Sequence, residues 1–479
     1  MVVVSSSSSS SSSSYLPCSI RTLFTLFSIL FTLTLSSFLY LNKPTSNPSS
    51  IPQNTLQNPK TSLKVFIFDL PRSYNYELLE KYWTQQPVDP NNQPGSTQLP
   101  QNMDYPPLPD NLSLEQHSAE YWLLGDLMTP EISRNGSFAK RVYNETESDV
   151  IFVPFFAAVS CVMQVGLDRR VFTEKVESNE DYKRQKEVIE LVTNSDGWKR
   201  SGGRDHVFVV ADPMAMWHVK HEIAPAILLV VDFGGWTLLD SEAYDVKSPE
   251  RIQHTQVSLI KDVIVPYNHL LPTLHLSEDK FRHNLLYFRG GKNRQRGGII
   301  RAKLWDLLVN EAGVIMEEGT ATPLGRQQSV IGMRSTEFCL NPAGDTPASC
   351  RLFDAIQSLC IPVIVSDQIE LPFEGMIDYS EFSIFVSADN ALQPKWLVSH
   401  LRSISKKQID EYRKNLARVQ PMFVYDYGHP GGIGPVPKNS AVNQIWRKVH
   451  QKVPIIKEAV TRYRRRPPGV LVPLRCQCT

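Results

Sequence analysis

The chain has 479 residues, which is too long for one ordinary hydrophobic core and predicts two domains of roughly 150 to 200 residues each with appendages. An apolar fraction of 42% and a charged fraction of 21% are typical of a globular protein. The formal net charge of +1 argues against nucleic acid as the main partner, because a surface that follows phosphates normally leaves an excess of basic residues.

The first 62 residues differ in composition from the rest of the chain. A serine run at 5–14 precedes an uncharged, mostly apolar stretch at 22–42, and about 20 apolar residues are enough to cross a hydrocarbon layer of roughly 30 Å. A cleaved signal peptide has a shorter apolar part, about 7–15 residues, and ends in a small-residue triplet that is missing here. We predict a cytosolic tail at 1–21, a transmembrane signal anchor at 22–42 and a stem rich in Pro, Ser, Asn and Gln at 43–62.

Sequons indicate on which side of a membrane the remaining chain lies. Arg21 and Lys43 flank the predicted span almost symmetrically, so the positive-inside rule gives no orientation. Asn111, Asn135 and Asn144 each begin an N-x-[S/T] sequon, and such acceptors are used only on the lumenal side. The sequons therefore favour a single-pass type II protein with its globular part in a lumen.

The cysteines are compatible with the same side. Beyond the predicted span the chain has Cys161, Cys339, Cys350, Cys360, Cys476 and Cys478. Six is an even number, as expected where disulfides form in an oxidising lumen. Cys161 and Cys360 lie inside apolar runs, and we interpret these two as buried thiols.

In the first half, strand and helix signals alternate. The run KVFIFDLP from Lys64 is typical of a buried strand, and Asp69 stands at its carboxyl end, where open α/β sheets present functional groups. Residues 85–109 predict a surface loop, and residues 114–128 predict a helix with Ser113 as its N-cap. Further strands are predicted from Asp149 and Asp205, at 226–233 and at 262–267, with a charged helix at 174–193.

A second set of alternating signals follows. The apolar run from Leu285, a helix at 299–310, the strand GVIMEEG from Gly313 and the stretch 337–374 repeat the order of strand, helix and strand. Strands that alternate with helices predict parallel sheets covered on both faces. We predict two α/β domains facing a cleft, at 63–268 and 269–410, followed by C-terminal helices and a tail at 411–479.

The stretch 337–374 contains a candidate anion site. Thr346 followed by Pro347 predicts a helix start, and the helix would bury Leu352 while Arg351 and Asp354 lie on its more polar side. Free amides at such a helix start, at the carboxyl edge of a sheet, are where nucleotide diphosphates bind. Asp354 lies one turn further on, where a carboxylate can accept ribose hydroxyls. The alternative is a surface ion pair between Arg351 and Asp354.

The loop FRGGKNRQRGG, from Phe288, is a second candidate. It places Arg289, Lys292, Arg294 and Arg296 among four glycines after an apolar run. Cations and exposed amides at a strand end can neutralise a diphosphate leaving group, although a basic hairpin loop is the alternative. The chain has neither a Walker loop nor G-x-G-x-x-G. It also has no D-x-D triplet, so we expect no catalytic metal and no other cofactor.

Together these motifs resemble a known family. GRDH at 203–206, KDVIVP from Lys261, the FRGG loop and the stretch from Asn341 (NPAGDTPASCRLFDAI) look like the exostosin-type glycosyltransferases of family 47, from about residue 63 to 449. The combination of GDTPAS and RLFDAI resembles the plant branch of probable arabinosyltransferases that act on pectic arabinan. The resemblance implies a GT-B type fold of two Rossmann-like domains, in which the second half binds a UDP-sugar and the first presents the acceptor glycan.

The resemblance also implies donor-side residues and an inverting transfer. Arg289, Arg351 and Asp354 match donor-side positions, with Asp354 standing where many members have glutamate. Lys292, Asn341 and Thr346 complete the donor-binding set that we predict.

An inverting transfer needs a base near the acceptor hydroxyl. His206 in the GRDH motif and Asp69 are our candidates, and His117 and Glu120 are rivals that the sequence does not separate from them. A structural hydrogen-bonding role is the alternative for His206.

The expected function is transfer of a sugar, with arabinose and pectic arabinan as the pair that the plant branch suggests, from a UDP-sugar to a cell-wall polysaccharide. The expected place is the Golgi membrane, with the catalytic part in the lumen. Expected partners are the donor, the polysaccharide acceptor, the membrane through one helix and homologous glycosyltransferases in a homo- or hetero-oligomer. Alternatives are a galactosyl-, glucuronosyl- or xylosyltransferase of the same fold, a non-catalytic exostosin-like subunit and a lectin-like glycan binder.

Overall fold

The computed structural model describes residues 62–85, 104–232, 258–294, 299–319 and 322–467. Outside these ranges lie the predicted tail and anchor, nearly all of the stem, most of the predicted insertion, Arg296, Cys476 and Cys478. Within the ranges, no helix is long and apolar enough to span a bilayer. The stretch for which we predict a span is not among them.

The first half of the described chain forms a parallel sheet. Its strands are β1 (Leu63–Ile67), β2 (Ala139–Val142), β3 (Val150–Phe152), β4 (His206–Val210), β5 (Ile227–Val230) and β6 (Val263–Ile264). Within the described ranges the strand order is β2-β1-β3-β4-β5-β6, and every neighbouring pair is parallel. β3, β4 and β5 are buried along their whole length, as expected for strands covered by helices on both faces.

The strands predicted from Lys64, Asp149 and Asp205 are confirmed, and so are the two weaker ones that form β5 and β6. The sequence did not predict β2. This edge strand buries Ala139 and Val142, while the two basic residues between them are exposed or partly exposed, so its apolar signal is weak.

The helices of this half cover the sheet. They are α1 (Tyr76–Gln85), α2 (Leu112–Gln116), α3 (Ala119–Met128), α4 (Ala157–Asp168), α5 (Glu180–Thr193) and α6 (Asp196–Ser201). The predicted start of the charged helix at 174 is wrong, because Asn179 caps α5 by accepting from the amide of Tyr182.

A single helix at 114–128 with Ser113 as its cap is also wrong. Asn111 caps α2 by accepting from the amides of Ser113 and Leu114, and the chain breaks at His117 before α3 begins. At this break the His117 ring turns towards the main chain of Ala211, with 2.9 Å between Nδ1 and the carbonyl oxygen. The break therefore places a histidine beside the residue that follows β4.

The second half forms another parallel sheet. Its strands are β7 (Asn284–Arg289), β8 (Val314–Glu317), β9 (Thr336–Pro342), β10 (Ile361–Val365) and β11 (Ile384–Phe385). In the described part of the chain the order is β11-β10-β9-β7-β8, and all pairs are parallel. The helices are α7 (Ile299–Leu308), α8 (Pro323–Arg334), α9 (Cys350–Gln357), α10 (Ala388–Ala391), α11 (Trp396–Ser403), α12 (Lys406–Val419) and α13 (Ala441–Arg464).

Two parallel α/β sheets confirm the predicted α/β class, and they are consistent with a GT-B-like glycosyltransferase. The described residues belong to one compact unit, and one hydrophobic cluster includes side chains from both sheets. The domain boundaries at 268/269 and 410/411 stay predictions.

The start of the helix in the candidate anion site differs from the prediction. Thr346 and Pro347 do not begin it; α9 starts at Cys350, after Ser349 in an extended conformation. The Thr346 hydroxyl instead donates to the carbonyl of Ala348, at 2.7 Å, and so shapes the loop between β9 and α9. The free amides at the start of α9 therefore belong to residues further along the chain than Thr346 and Pro347 suggest.

A disulfide joins Cys339 of β9 to Cys360, which directly precedes β10. Our interpretation of Cys360 as a buried thiol is therefore wrong, because β9 and β10 are neighbouring strands and bring the Cα atoms of Cys339 and Cys360 to 5.6 Å from each other. Cys161 is a free buried thiol, as predicted, and Cys350 is also free and buried.

Two segments hold the sheets together. Residues 267–271 lead from the first sheet to the second, and the amide of Asn268 donates to the carbonyl of Gln116, at 2.9 Å. Helix α13 returns from the second half to pack on β1 and β6, where Trp446 donates to Asp126. The loops at the carboxyl ends of the two sheets thus meet around residue 267.

Candidate active site

Arg351, in the first turn of α9, lies against the end of β7. Its Nε donates to the carbonyl of Arg289, at 2.8 Å, and its guanidinium lies 4.7 Å from the centre of the Phe288 ring. A Cβ at position 290 would collide with this guanidinium, so Gly290 is what permits the close approach. Burial lowers the pKa of Arg351 to about 10, against the opposing effect of the Asp354 charge.

Arg301, on α7, supplies a buried guanidinium beside the partly buried one of Arg351. Its Nε donates to the carbonyl of Ala343, at 3.0 Å, and a Cβ at Gly344 would collide with the group. Burial lowers the pKa of Arg301 to about 9, and the neighbouring charges of Arg351 and Arg294 lower it further. Among the described residues, neither Arg301 nor Arg351 has a carboxylate as an ion-pair partner. Two cations that repel each other in a poorly hydrated place are stabilised by an added anion.

The other basic residues of this loop that the structure describes are paired. Arg289 bonds Glu317 at 2.9 Å, Lys292 bonds Asp306 at 2.7 Å, and the exposed Arg294 bonds Asp345 at 3.0 Å. Arg289 and Lys292, which we predict to bind the donor, therefore lie near the site with their charges balanced. We expect them to contribute less to anion binding than Arg301 and Arg351.

Asn341 and Thr346 lie at the carboxyl end of β9. Asn341 is 6% exposed, and its Nδ2 donates to the carbonyl of Cys339, at 2.9 Å. Its Oδ1 has no hydrogen-bond partner among the described residues, which is the state of a group that a ligand can satisfy. Thr346 is partly exposed in the loop that follows.

Asp354 is not on a polar surface, and the structure gives its carboxylate other partners. Oδ1 accepts from the amides of Leu270 and Leu271, at 2.6 and 3.0 Å, in the segment that links the two sheets. Asp354 is buried, so the polar side predicted for this helix is wrong at that position. Asp354 therefore holds the linking segment against α9, and we no longer predict that it contacts the ribose.

A second polar cluster lies at the carboxyl end of the first sheet. We call it the β4 cluster, and it comprises His117, Glu120, Asp212, Lys220 and Asp232. All five side chains are buried, and the pKa of Lys220 falls to about 8 because burial outweighs the attraction of Asp232 and Asp212. The His117 ring also packs against the Tyr267 ring in a tilted arrangement, with 5.3 Å between ring centres.

Glu120 is committed to the start of α4. Its carboxylate accepts from the amides of Ala158 and Val159, at 3.1 and 3.3 Å, where the positive end of the helix dipole lies. Burial nevertheless raises the pKa of Glu120 to about 8. The folded protein therefore holds a proton on this residue more tightly than the unfolded chain does.

The raised pKa of Glu120 predicts a loss of stability with rising pH. Its contribution is complete below pH 4.5, the unfolded value, and is lost as the pH rises towards 8. Glu120→Gln keeps an acceptor for the α4 amides but does not titrate. We expect the free energy of unfolding of the wild type to fall by roughly 3 kcal/mol relative to this variant between pH 5 and pH 8. Urea unfolding at several pH values measures it; Glu77→Gln, at a partly exposed position paired with Lys81, should leave the slope unchanged, and parallel curves for wild type and Glu120→Gln would contradict the expectation.

The two predicted bases lie in different places. His206 is fully buried at the amino end of β4, where its Nδ1 lies 2.9 Å from Asp205 and its ring packs on Trp198. That is the edge of the sheet opposite the carboxyl end, so the structure does not bring His206 together with the donor-side residues. Asp69 follows β1 at the carboxyl edge and is exposed.

Sequence reasoning missed Arg301 and Asp212. Arg301 lies on the buried face of α7 beside Ile300 and Leu304, and a lone arginine on an apolar helix face is the signal that could have found it. Asp212 directly follows the predicted strand DHVFVVA, the same position that made Asp69 a candidate.

The fold and the site define a class of protein. Two parallel α/β sheets whose carboxyl-end loops meet, with a cationic site on one and a buried polar cluster on the other, are consistent with a GT-B-like glycosyltransferase.

The comparison with protein families identifies the particular family within this class. Residues 59–401 match the family described as the Exostosin GT47 domain, and the chain belongs to this family of glycosyltransferases. It is 36% identical over 423 residues to the probable arabinosyltransferase ARAD1 of Arabidopsis thaliana, covering 87% of this chain and 84% of that protein. It is 27% identical over 414 residues to a probable glucuronosyltransferase of Oryza sativa subsp. japonica, covering 83% of each. A probable beta-1,4-xylosyltransferase of Arabidopsis thaliana is 26% identical over 431 residues, with 86% of this chain and 87% of that one covered.

Proposed function

We propose that the chain is an inverting glycosyltransferase that moves a sugar from a UDP-sugar to a plant cell-wall polysaccharide. The observation that carries the proposal is the pair Arg301 and Arg351, whose guanidinium groups converge at the end of β7 without a carboxylate ion-pair partner in the described ranges. A planar guanidinium is well suited to a diphosphate, because it can donate two parallel hydrogen bonds to phosphate oxygens.

The same pair gives a reason for catalysis. Negative charge develops on the diphosphate as the bond to the sugar breaks, and fixed cations in a poorly hydrated site stabilise that charge more than water does. Arg289 and the amides at the start of α9 would add to this stabilisation, and the Oδ1 of Asn341 is available to a donor group. With no D-x-D triplet in the sequence, we propose that guanidinium groups and amides serve the leaving group and that no metal is required.

We propose arabinose as the sugar and pectic arabinan as the acceptor. The support is the similarity to ARAD1, at 36% identity, which exceeds the 27% and 26% to the glucuronosyl- and xylosyltransferases. These sugars differ by single hydroxyl, carboxyl or ring features, which the shape and polar groups of the pocket have to distinguish. A screen of the full-length chain in detergent with UDP-linked arabinose in both ring forms, glucuronate, galactose, galacturonate and xylose tests it. Mass spectrometry then measures the products formed on arabinan, xylan and xyloglucan oligosaccharides. We expect arabinan to gain the mass of one arabinose. Transfer of another sugar instead would contradict arabinose as the donor sugar.

We further propose that the protein is a single-pass type II protein of the Golgi membrane. The apolar stretch at 22–42, the three sequons and the Cys339–Cys360 disulfide support an anchored protein in an oxidising lumen. Association with homologous glycosyltransferases remains a part of the proposal that the sequence alone suggests.

The sequons give a test of the lumenal side. Asn135 and Asn144 are exposed, whereas Asn111 is partly buried and its Nδ2 donates to the Tyr82 hydroxyl, at 2.9 Å. We expect glycans at Asn135 and Asn144, so that Asn135→Gln and Asn144→Gln each remove one step in electrophoretic mobility, and Asn111→Gln removes none. Mass spectrometry of peptides after enzymatic deglycosylation identifies the positions; a protein without glycans at both exposed sites would contradict a lumenal location.

A further inference from the structure

His117 lies at the break between α2 and α3, where one main-chain contact determines which of its ring nitrogens carries the hydrogen. Its Nδ1 lies 2.9 Å from the carbonyl oxygen of Ala211, and a carbonyl can only accept, so Nδ1 is the nitrogen that carries the hydrogen. In the neutral ring, the lone pair is then on Nε2. The main chain therefore holds His117 in the tautomer of a proton acceptor.

Asp212 lies beside that lone pair. Its Oδ2 is 3.7 Å from His117 Nε2, while its Oδ1 accepts from the amide of Met214, at 2.7 Å. A carboxylate and a neutral Nε2 are both acceptors, so they do not bond each other at that distance. Once Nε2 has gained a proton, the carboxylate stabilises the resulting imidazolium. The arrangement is that of a base oriented by a main-chain carbonyl, with a carboxylate beside it that stabilises its protonated form.

The pair borders the donor half of the molecule. The His117 ring packs against the tilted ring of Tyr267, and the Tyr267 hydroxyl lies 3.5 Å from the Thr346 hydroxyl. Thr346 already donates to Ala348, so Tyr267 is the donor in this contact. Thr346 belongs to the loop between β9 and α9, the helix that carries Arg351. His117 is thus connected by one aromatic residue to the loop of the anion site.

We infer that His117 is the general base of the transfer and that Asp212 is its positioning partner, an inference that rests on the proposed function. The acceptor hydroxyl donates to His117 Nε2. As its oxygen forms a bond to the anomeric carbon, the proton passes to Nε2, and the bond from that carbon to the diphosphate oxygen breaks with its electron pair leaving on UDP. The imidazolium, held by Asp212, then returns the proton to water.

Other groups around the pair have different tasks. Glu120 is bound to the amides of α4, and Lys220 is attracted by Asp212 and Asp232. Lys220 can balance the negative charge of Asp212 before the imidazolium forms. Among the earlier candidates, His206 lies at the opposite edge of the sheet, and the exposed Asp69 follows a strand two positions away from β4 in the sheet order.

The test is His117→Asn, because an asparagine amide can keep the bond to the Ala211 carbonyl while no base remains at the position of Nε2. With the donor and acceptor that the screen selects, we expect kcat to fall by on the order of 100-fold or more, in line with general-base catalysis. UDP affinity and the melting temperature should stay near wild type.

Two further variants keep the outcome decisive. His218→Asn makes the same change at a buried histidine that also contacts a main-chain carbonyl, that of Phe172, and it should keep the wild-type rate. Asp212→Asn keeps the acceptor for the Met214 amide and should lower kcat about tenfold. If His117→Asn does not fold, the rate of Asp212→Asn is the test of the inference. A wild-type rate in His117→Asn or, in that event, in Asp212→Asn overturns the inference while the proposed function stands. A wild type that transfers no sugar contradicts the proposed function itself.

Discussion

Replacing Arg351 with alanine is expected to weaken UDP binding by about 100-fold, since hydrogen bonds between a guanidinium and a phosphate are worth roughly 1.5–3 kcal/mol and each 1.4 kcal/mol is a factor of ten. Nothing else in the described part of α9 can take its place beside Phe288. The bond to the Arg289 carbonyl is lost as well, which loosens the end of β7. Isothermal titration of UDP into the full-length chain in detergent measures the effect.

Three variants sharpen this test. Arg351→Lys retains the charge but not the planar fork, so we expect an intermediate loss. Arg289→Ala should lose less than Arg351→Ala, because Glu317 already balances that charge. Arg418→Ala removes an exposed arginine paired with Glu381 and should bind UDP like the wild type. Wild-type affinity in both Arg351→Ala and Arg289→Ala would remove the UDP site from the end of β7.

Removing the disulfide with Cys339→Ala and Cys360→Ala together is expected to lower the free energy of unfolding by about 3 kcal/mol. The two cysteines are 21 residues apart, and closing a loop of that size restricts the unfolded chain by roughly this amount. The bridge also ties β9, which leads into the donor loop, to the start of β10. Urea unfolding under oxidising conditions gives the value.

The control is dithiothreitol. It should destabilise the wild type towards the level of the double variant and leave the double variant unchanged, while Cys161→Ala, at a free buried thiol, should keep the response to the reductant. Equal stability of wild type and double variant under oxidising conditions would contradict a bridge between these strands.

Much of the fold follows from patterns that are local in sequence. Apolar runs from Lys64, Asp149, Asp205 and Leu285 become strands because a short β-branched or aromatic run has few other ways to bury itself. Alternation with helices then requires parallel sheets. β2 was not predicted because it is short and basic and lies at the edge of the sheet. It becomes a strand by pairing with β1, which is distant in the chain.

The site was predicted in part, and the remainder depends on contacts between distant segments. Arg351 and Arg289 could be named because they stand in a helix start and a glycine-rich loop. The bond of Asp354 to Leu270 and Leu271 could not, because nothing in the sequence places the linking segment against α9. The partner of Cys360 could not be predicted either, because it depends on the register of β9 and β10. The position of His117 depends on a break between two helices, in a stretch whose sequence pattern predicts one continuous helix.

A structure of the protein with UDP tests the central claim most directly. We predict that the two phosphates lie at the carboxyl end of β7, with hydrogen bonds from the guanidinium groups of Arg351 and Arg301 and the uridine towards Asn341. Phosphates bound instead at the β4 cluster, or UDP bound without contact to either arginine, would contradict the assignment of the second sheet as the donor half.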